Sequence, residues 1–194
     1  MKIILGSASK SRQAILSRAG YSFEVISADI DEKQIRYEDP SQLTMAIARA
    51  KADDLLKKIK TPALLVTSDT VVTCNGEIFE KPNDEEEARY FLHCYNRFPA
   101  STTTAVLITN TETSKCISDV DIAYVYFHPI PESEIEKLIA IGDIFHFAGA
   151  LQVEALDDDT QLNPFVSRIE GTIESLQGLP IHMFKRLLEE IKTM

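Results

Sequence analysis

Two kinds of connection alternate along this chain, and no purely parallel or purely antiparallel sheet can hold both. The start reads strand, turn, helix: residues 2–5 are mostly apolar, Gly6, Ser7, Ala8 and Ser9 make a small-residue turn, and residues 11–19 carry a helical period that Gly20 stops. Further along, the runs 71–74 and 77–79 flank Asn75-Gly76, the pair best suited to the positive φ of a tight hairpin. Runs 102–109 and 117–127 are also β-rich and are joined by a polar turn, which predicts antiparallel pairing. Short strands are expected at 23–27 and 63–67, and helices at 41–59 behind Pro40, at 84–96 with an acidic first turn, at 131–141 and at 181–191. This mixture predicts an α/β fold with a mixed sheet rather than a doubly wound one.

A chain of 194 residues has room for one domain with a substantial core, so residues 1–194 are read as a single domain. The net charge of -10 argues against polymeric DNA or RNA as a partner, because a nucleic-acid backbone needs a basic face. A small anion stays compatible with that charge where a few cations gather locally. The apolar run 3–5 is far too short for a signal peptide or a spanning helix, which leads to the expectation of a cytoplasmic protein with no membrane partner. Cys74, Cys94 and Cys116 lie far apart without paired spacing, so buried free thiols are expected rather than a zinc site or disulfides. Neither GxGxxG nor GxxxxGK[ST] occurs.

Several residue groups could carry chemistry. The segment Gly6 to Arg12 places small residues, hydroxyls and free backbone N–H groups at a helix start with an arginine one turn in, which suits phosphate oxygens. The same residues also read as an ordinary serine-capped helix. Asp31 and Glu32 sit in an acidic loop, and Asp69 follows the run 63–67; such carboxylates can converge on a hard divalent cation, or stay solvated or paired. Lys51 runs along a partly apolar helix face, where it could snorkel to solvent or pair with Asp54. Lys81 follows a short strand ended by Pro82 and also reads as a surface lysine. The tract Asp157-Asp158-Asp159 reads as a solvated loop, and His93 and His182 as structural or exposed.

Taken in order and spacing, GSASKSRQAIL, DIDEK, IARAKA, SDTVV and EKP, with FAGALQVE, IEG and GLP near the C-terminus, resemble the Maf family of nucleotide pyrophosphatases over nearly the whole chain. The resemblance implies an inosine-triphosphatase-like fold, a curved mixed sheet flanked by helices, with two lobes and a cleft. It implies that Ser7, Ser9 and Arg12 hold phosphate, that Lys51 and Lys81 neutralise developing charge, and that Glu32 and Asp69 bind a divalent metal, magnesium or manganese, and activate water. The substrate would be a nucleoside triphosphate, cleaved to monophosphate and pyrophosphate, and a homodimer is implied. The family is also associated with control of cell division, so a nucleotide-binding regulator is the alternative to a house-cleaning enzyme.

Two positions depart from the family's pattern. Ser11 stands where many members carry a second arginine, and Glu154 where a glutamine is frequent. For the base, Thr70 resembles members acting on dTTP and UTP, whereas Glu154, an acceptor only, suits the N–H edge of guanine and so 7-methyl-GTP. The absence of tryptophan removes the best stacking partner for a cationic purine, and the sequence reading therefore favours the pyrimidine triphosphates.

Overall fold

The computed structural model describes residues 1–151 and 164–194; Gln152, Glu154 and the tract Asp157-Asp158-Asp159 lie outside the described residues. Strands are β1 (Lys2–Leu5), β2 (Phe23–Val25), β3 (Ala63–Cys74), β4 (Glu77–Phe79), β5 (Ala100–Asn110), β6 (Cys116–Phe127) and β7 (Val166–Glu170). Helices are α1 (Lys10–Arg18), α2 (Pro40–Lys58), α3 (Glu85–Tyr95), α4 (Glu132–Ile141), α5 (Ile173–Leu176) and α6 (Ile181–Thr193), with a 3-10 turn at Glu32–Gln34. The strands form one sheet in the order β2-β1-β3-β5-β6-β7, and β4 pairs with β3. β1 runs parallel to β2 and β3, while β3–β4 and β6–β7 are antiparallel, so the sheet is mixed as the connections predict.

The caps follow local chemistry. Ser9 Oγ accepts from the Arg12 N–H at the start of α1, Asp39 accepts from the N–H groups of Ser41 and Gln42 ahead of α2, and Asp84 accepts from Glu87 N–H ahead of α3. Asn75 and Gly76, both at positive φ, turn β3 into β4.

The chain divides into two compact units, the first made of Met1–Thr70, Thr104–Asp121 and Gln177–Met194, the second of Val71–Thr103 and Ile122–Leu176. In the first, strand residues alternate between two apolar clusters. Ile3, Leu5, Leu64 and Val66 pack with Ile15 and Leu16 of α1 and Phe184, Leu187 and Leu188 of α6. Ile4, Ala63, Leu65 and Leu107 pack with Ala48, Ala52 and Leu55 of α2. A strand covered on both faces needs apolar residues at every position, which is why these strands read as continuous apolar runs. The second unit has its own core, where Phe79 stacks on Phe91 at 4.0 Å and α3 and α4 contribute Leu92, Tyr95, Ile135 and Ile139.

Three details differ from the sequence expectation. The runs 63–67 and 71–74 are one unbroken strand, so Asp69 lies within β3 and not beyond its end; Thr67 and Thr70 favour the extended backbone, and the charge finds a partner. β7 has no local signal strong enough to be read, and it forms because β6 offers it an edge. All three cysteines are free, but only Cys74 is buried, and Cys116 is exposed at the start of β6. No helix among the described residues is long and apolar enough to cross a membrane.

Candidate active site

The site grows from the junction between β1 and α1. Gly6 donates its N–H to the Val66 carbonyl at 2.7 Å, and a Cβ there would fall 2.6 Å from Leu55 Cδ1 and 2.8 Å from Thr67 Cγ2. Only glycine lets the chain leave β1 this close to β3 and α2. Ser7, buried, accepts from the Ser9 N–H at 3.2 Å, and Ser9 caps the helix, so the serines of this loop shape the start of α1. Ser11 follows in the first turn of α1, partly buried. First-turn N–H groups lack partners inside a helix, and Ser9 Oγ accepts that of Arg12.

Lys51 and Asp69 come together from α2 and β3. The Lys51 ammonium donates a hydrogen bond to Asp69 Oδ1 at 2.8 Å and forms an ion pair with Glu32 Oε1 at 3.0 Å, with the lysine and aspartate side chains only 11% and 10% exposed and the glutamate 50%. Asp54, the alternative partner for Lys51, is engaged instead by Lys58 and by the Asp29 N–H. Asp31 caps the 3-10 turn that carries Glu32. Burial pushes the Asp69 carboxyl above its usual value, and Lys51 and Arg12 hold it partly back. Burial likewise lowers the Arg12 guanidinium, an effect that Asp69 and Glu32 oppose.

Arg12 is buried, with its guanidinium directed to Gly178, Ser68, Ser7 and Thr70. Thr70 also shares a hydrogen bond with Thr104 on β5 at 2.9 Å. Thus Ser7, Ser9, Arg12, Glu32, Lys51, Asp69 and Thr70 gather in the first unit, while Lys81 belongs to the second, exposed beyond β4. Glu154 lies outside the described residues. Ser68, Thr104 and the Gly178 carbonyl belong to the same network; Gly178 falls in the GLP motif, whereas no local signal marks Thr104, which meets Thr70 across a long sequence distance.

Among the described residues, no three His, Cys, Asp or Glu side chains gather as a metal cage. The carboxylate pair nonetheless fits a hard cation of the magnesium type, which is held by one or two carboxylates together with phosphate oxygens. Lys51 meets Oε1 of Glu32 and Oδ1 of Asp69, which brings the two carboxylates to one ammonium.

The first unit thus presents a mixed α/β sheet, a buried lysine that joins two carboxylates and a serine-capped helix start. The sequence comparison gives the family. The pattern described as "Maf-like protein" matches residues 2–191, and the chain belongs to the Maf family. It is 40% identical over 97% of its length to a 7-methyl-GTP pyrophosphatase of Dictyostelium discoideum, covering 96% of that protein. It is 35% identical over 92% of its length to a dTTP/UTP pyrophosphatase of Geotalea uraniireducens, covering 89% of it. With a dTTP/UTP pyrophosphatase of Clostridium botulinum the identity is 32% over 98% of the chain and 99% of the relative.

Proposed function

We propose that this chain is a nucleoside triphosphate pyrophosphatase that hydrolyses its substrate to the monophosphate and pyrophosphate with a divalent cation, magnesium or manganese. The observation that carries the reading is Lys51, buried and bonded to both Glu32 and Asp69. Water attacks the α-phosphorus and pyrophosphate departs with most of the charge. Asp69 takes the proton from water, a task suited to a carboxyl whose proton affinity burial has raised. Lys51 stabilises the negative charge that builds on the phosphoryl oxygens, and Ser7, Ser9 and the N–H groups at the start of α1 bind phosphate oxygens. Lys81 keeps the neutralising role that the resemblance implies.

The charges of Arg12 and Lys51 sum with those of Glu32 and Asp69 to zero, so these four groups supply no net positive charge to a triphosphate. Glu32 and Asp69 would hold the divalent cation, which when bound supplies positive charge at the departing pyrophosphate.

For the base, 7-methyl-GTP is the first reading. It is the substrate in the name of the relative at 40% identity, and Glu154 can accept hydrogen bonds from a guanine edge. Thr70, on which the pyrimidine reading rests, has its hydroxyl engaged by Arg12 and Thr104. The dTTP/UTP reading is second, supported by the names of relatives at 32–35% identity. The test is pyrophosphate release from 7-methyl-GTP, GTP, dTTP, UTP and CTP, with magnesium or manganese and with chelator. Expected are the highest kcat/KM for 7-methyl-GTP, its decline in Glu154→Gln, and no turnover in chelator. A dTTP or UTP preference selects the second reading, orthophosphate release contradicts the reaction, and binding without turnover points to a regulator.

A further inference from the structure

Four acceptors from separate parts of the first unit converge on one guanidinium. Arg12 Nε donates to the Gly178 carbonyl at 2.8 Å, Nη1 to the Ser68 carbonyl at 3.0 Å and to Ser7 Oγ at 3.2 Å, and Nη2 to Thr70 Oγ1 at 3.1 Å. A guanidinium has five N–H donors in a rigid plane. Among the described residues these four bonds leave a single Nη2 proton, whereas a two-pronged grip on phosphate needs two.

Two of the acceptors, Ser68 and Thr70, flank Asp69 on β3. Both are tied a second time: Ser68 Oγ donates to the Gly178 carbonyl at 3.1 Å, and Thr70 Oγ1 is 2.9 Å from Thr104 Oγ1. Gly178 itself has φ +89°, and a Cβ there would stand 2.8 Å from Thr70 Oγ1 and 3.3 Å from Arg12 Nε. The absence of a side chain at 178 is therefore what lets the carbonyl, the arginine and the strand meet.

We propose that Arg12 is a positioning residue, which with the Gly178 carbonyl clamps β3 on both sides of Asp69 so that its carboxylate meets Lys51, and which does not grip the triphosphate as a fork. The kinetic part of the test rests on the pyrophosphatase reading above. In the full chain, Thr70→Val keeps the β-branched shape and removes the acceptor for Nη2, while Arg12→Lys removes the planar fork. Each is expected to lower kcat about tenfold or more and to leave KM within about twofold. The double variant is expected to be no worse than Arg12→Lys alone, since both changes open the same clamp. A raised KM at unchanged kcat in Arg12→Lys, or wild-type kcat in Thr70→Val, overturns the proposal. Should Arg12→Lys fail to fold, Thr70→Val alone decides the kinetic arm.

A second arm needs no turnover. In an arginine-labelled nitrogen-15 spectrum of the ligand-free wild type, the Arg12 Nε–H signal, recognised by its absence from Arg12→Lys or Arg12→Gln, is expected to exchange slowly with water. Rapid exchange overturns the clamp. A wild type that releases no pyrophosphate yet shows the slow signal sinks the functional reading and leaves the clamp standing.

Discussion

Asp69 places a charge within a strand whose neighbours Ser68 and Thr67 are fully buried. The cost of desolvating that charge is met by Lys51 at 2.8 Å, and burial still outweighs the pairing, so the carboxyl holds its proton more tightly than the usual 3.8 implies. Two consequences of opposite sign follow. As pH falls through the raised value, Asp69 protonates, and on the proposed function kcat/KM is expected to drop because the proton acceptor is lost. Over the same range the folded state gains relative to an untitratable variant: the native chain binds the proton at higher pH than the unfolded chain, so this contribution is fully present below 3.8 and lost as pH rises through the folded value. Asp69→Asn is expected to reduce turnover about 10²-fold or more while remaining folded. Paired melting curves from acid to neutral pH check the second consequence, the wild type losing ground to the variant as pH rises. A difference independent of pH would show that Asp69 titrates as in the unfolded chain.

Among the elements, α1 and the loop that feeds it carry the sharpest demands. Gly6 has no room for a methyl group beside Leu55 and Thr67, and Ser9 provides the side-chain cap. Gly6→Ala is expected to cost about 1–3 kcal/mol through overpacking, and Ser9→Ala about 1 kcal/mol through the lost cap. Denaturant titration with unchanged m-values measures both. A Gly6→Ala chain as stable as wild type would mean that β1, β3 and α2 can separate at this point without cost.

On the scale of the whole molecule, each compact unit has its own apolar core, and α6 supplies much of the first. Phe184 is fully buried and meets Tyr21 edge-on at 5.2 Å, with Leu187, Leu188 and Ile191 on the same face. Phe184→Ala is expected to destabilise the chain by about 3–5 kcal/mol, read from the denaturation midpoint. A loss below about 1 kcal/mol would show that this core repacks around the missing ring. The acidic total of -10 coexists with a locally balanced site, in which Arg12 and Lys51 face Glu32 and Asp69.

What the sequence determined by itself is what short-range chemistry decides. The serine cap of α1, the proline start of α2, the acidic first turn of α3, the Asn75-Gly76 turn and the apolar runs of β1 and the first part of β3 depend on backbone sterics and on bonds within a few residues, so they can be read in order along the chain. The motifs around Arg12, Glu32, Lys51 and Asp69 mark candidate site residues through family resemblance. Tertiary structure alone decided that β3 passes unbroken through Asp69, that β7 joins β6, and that Lys51 turns to Asp69 and Glu32 rather than to Asp54. It also placed Arg12 against Gly178, because a guanidinium that would face water in an isolated helix finds that carbonyl only when the far end of the chain returns. Desolvation and long-range hydrogen bonds act between groups that meet in space, and their energies have no counterpart in local sequence.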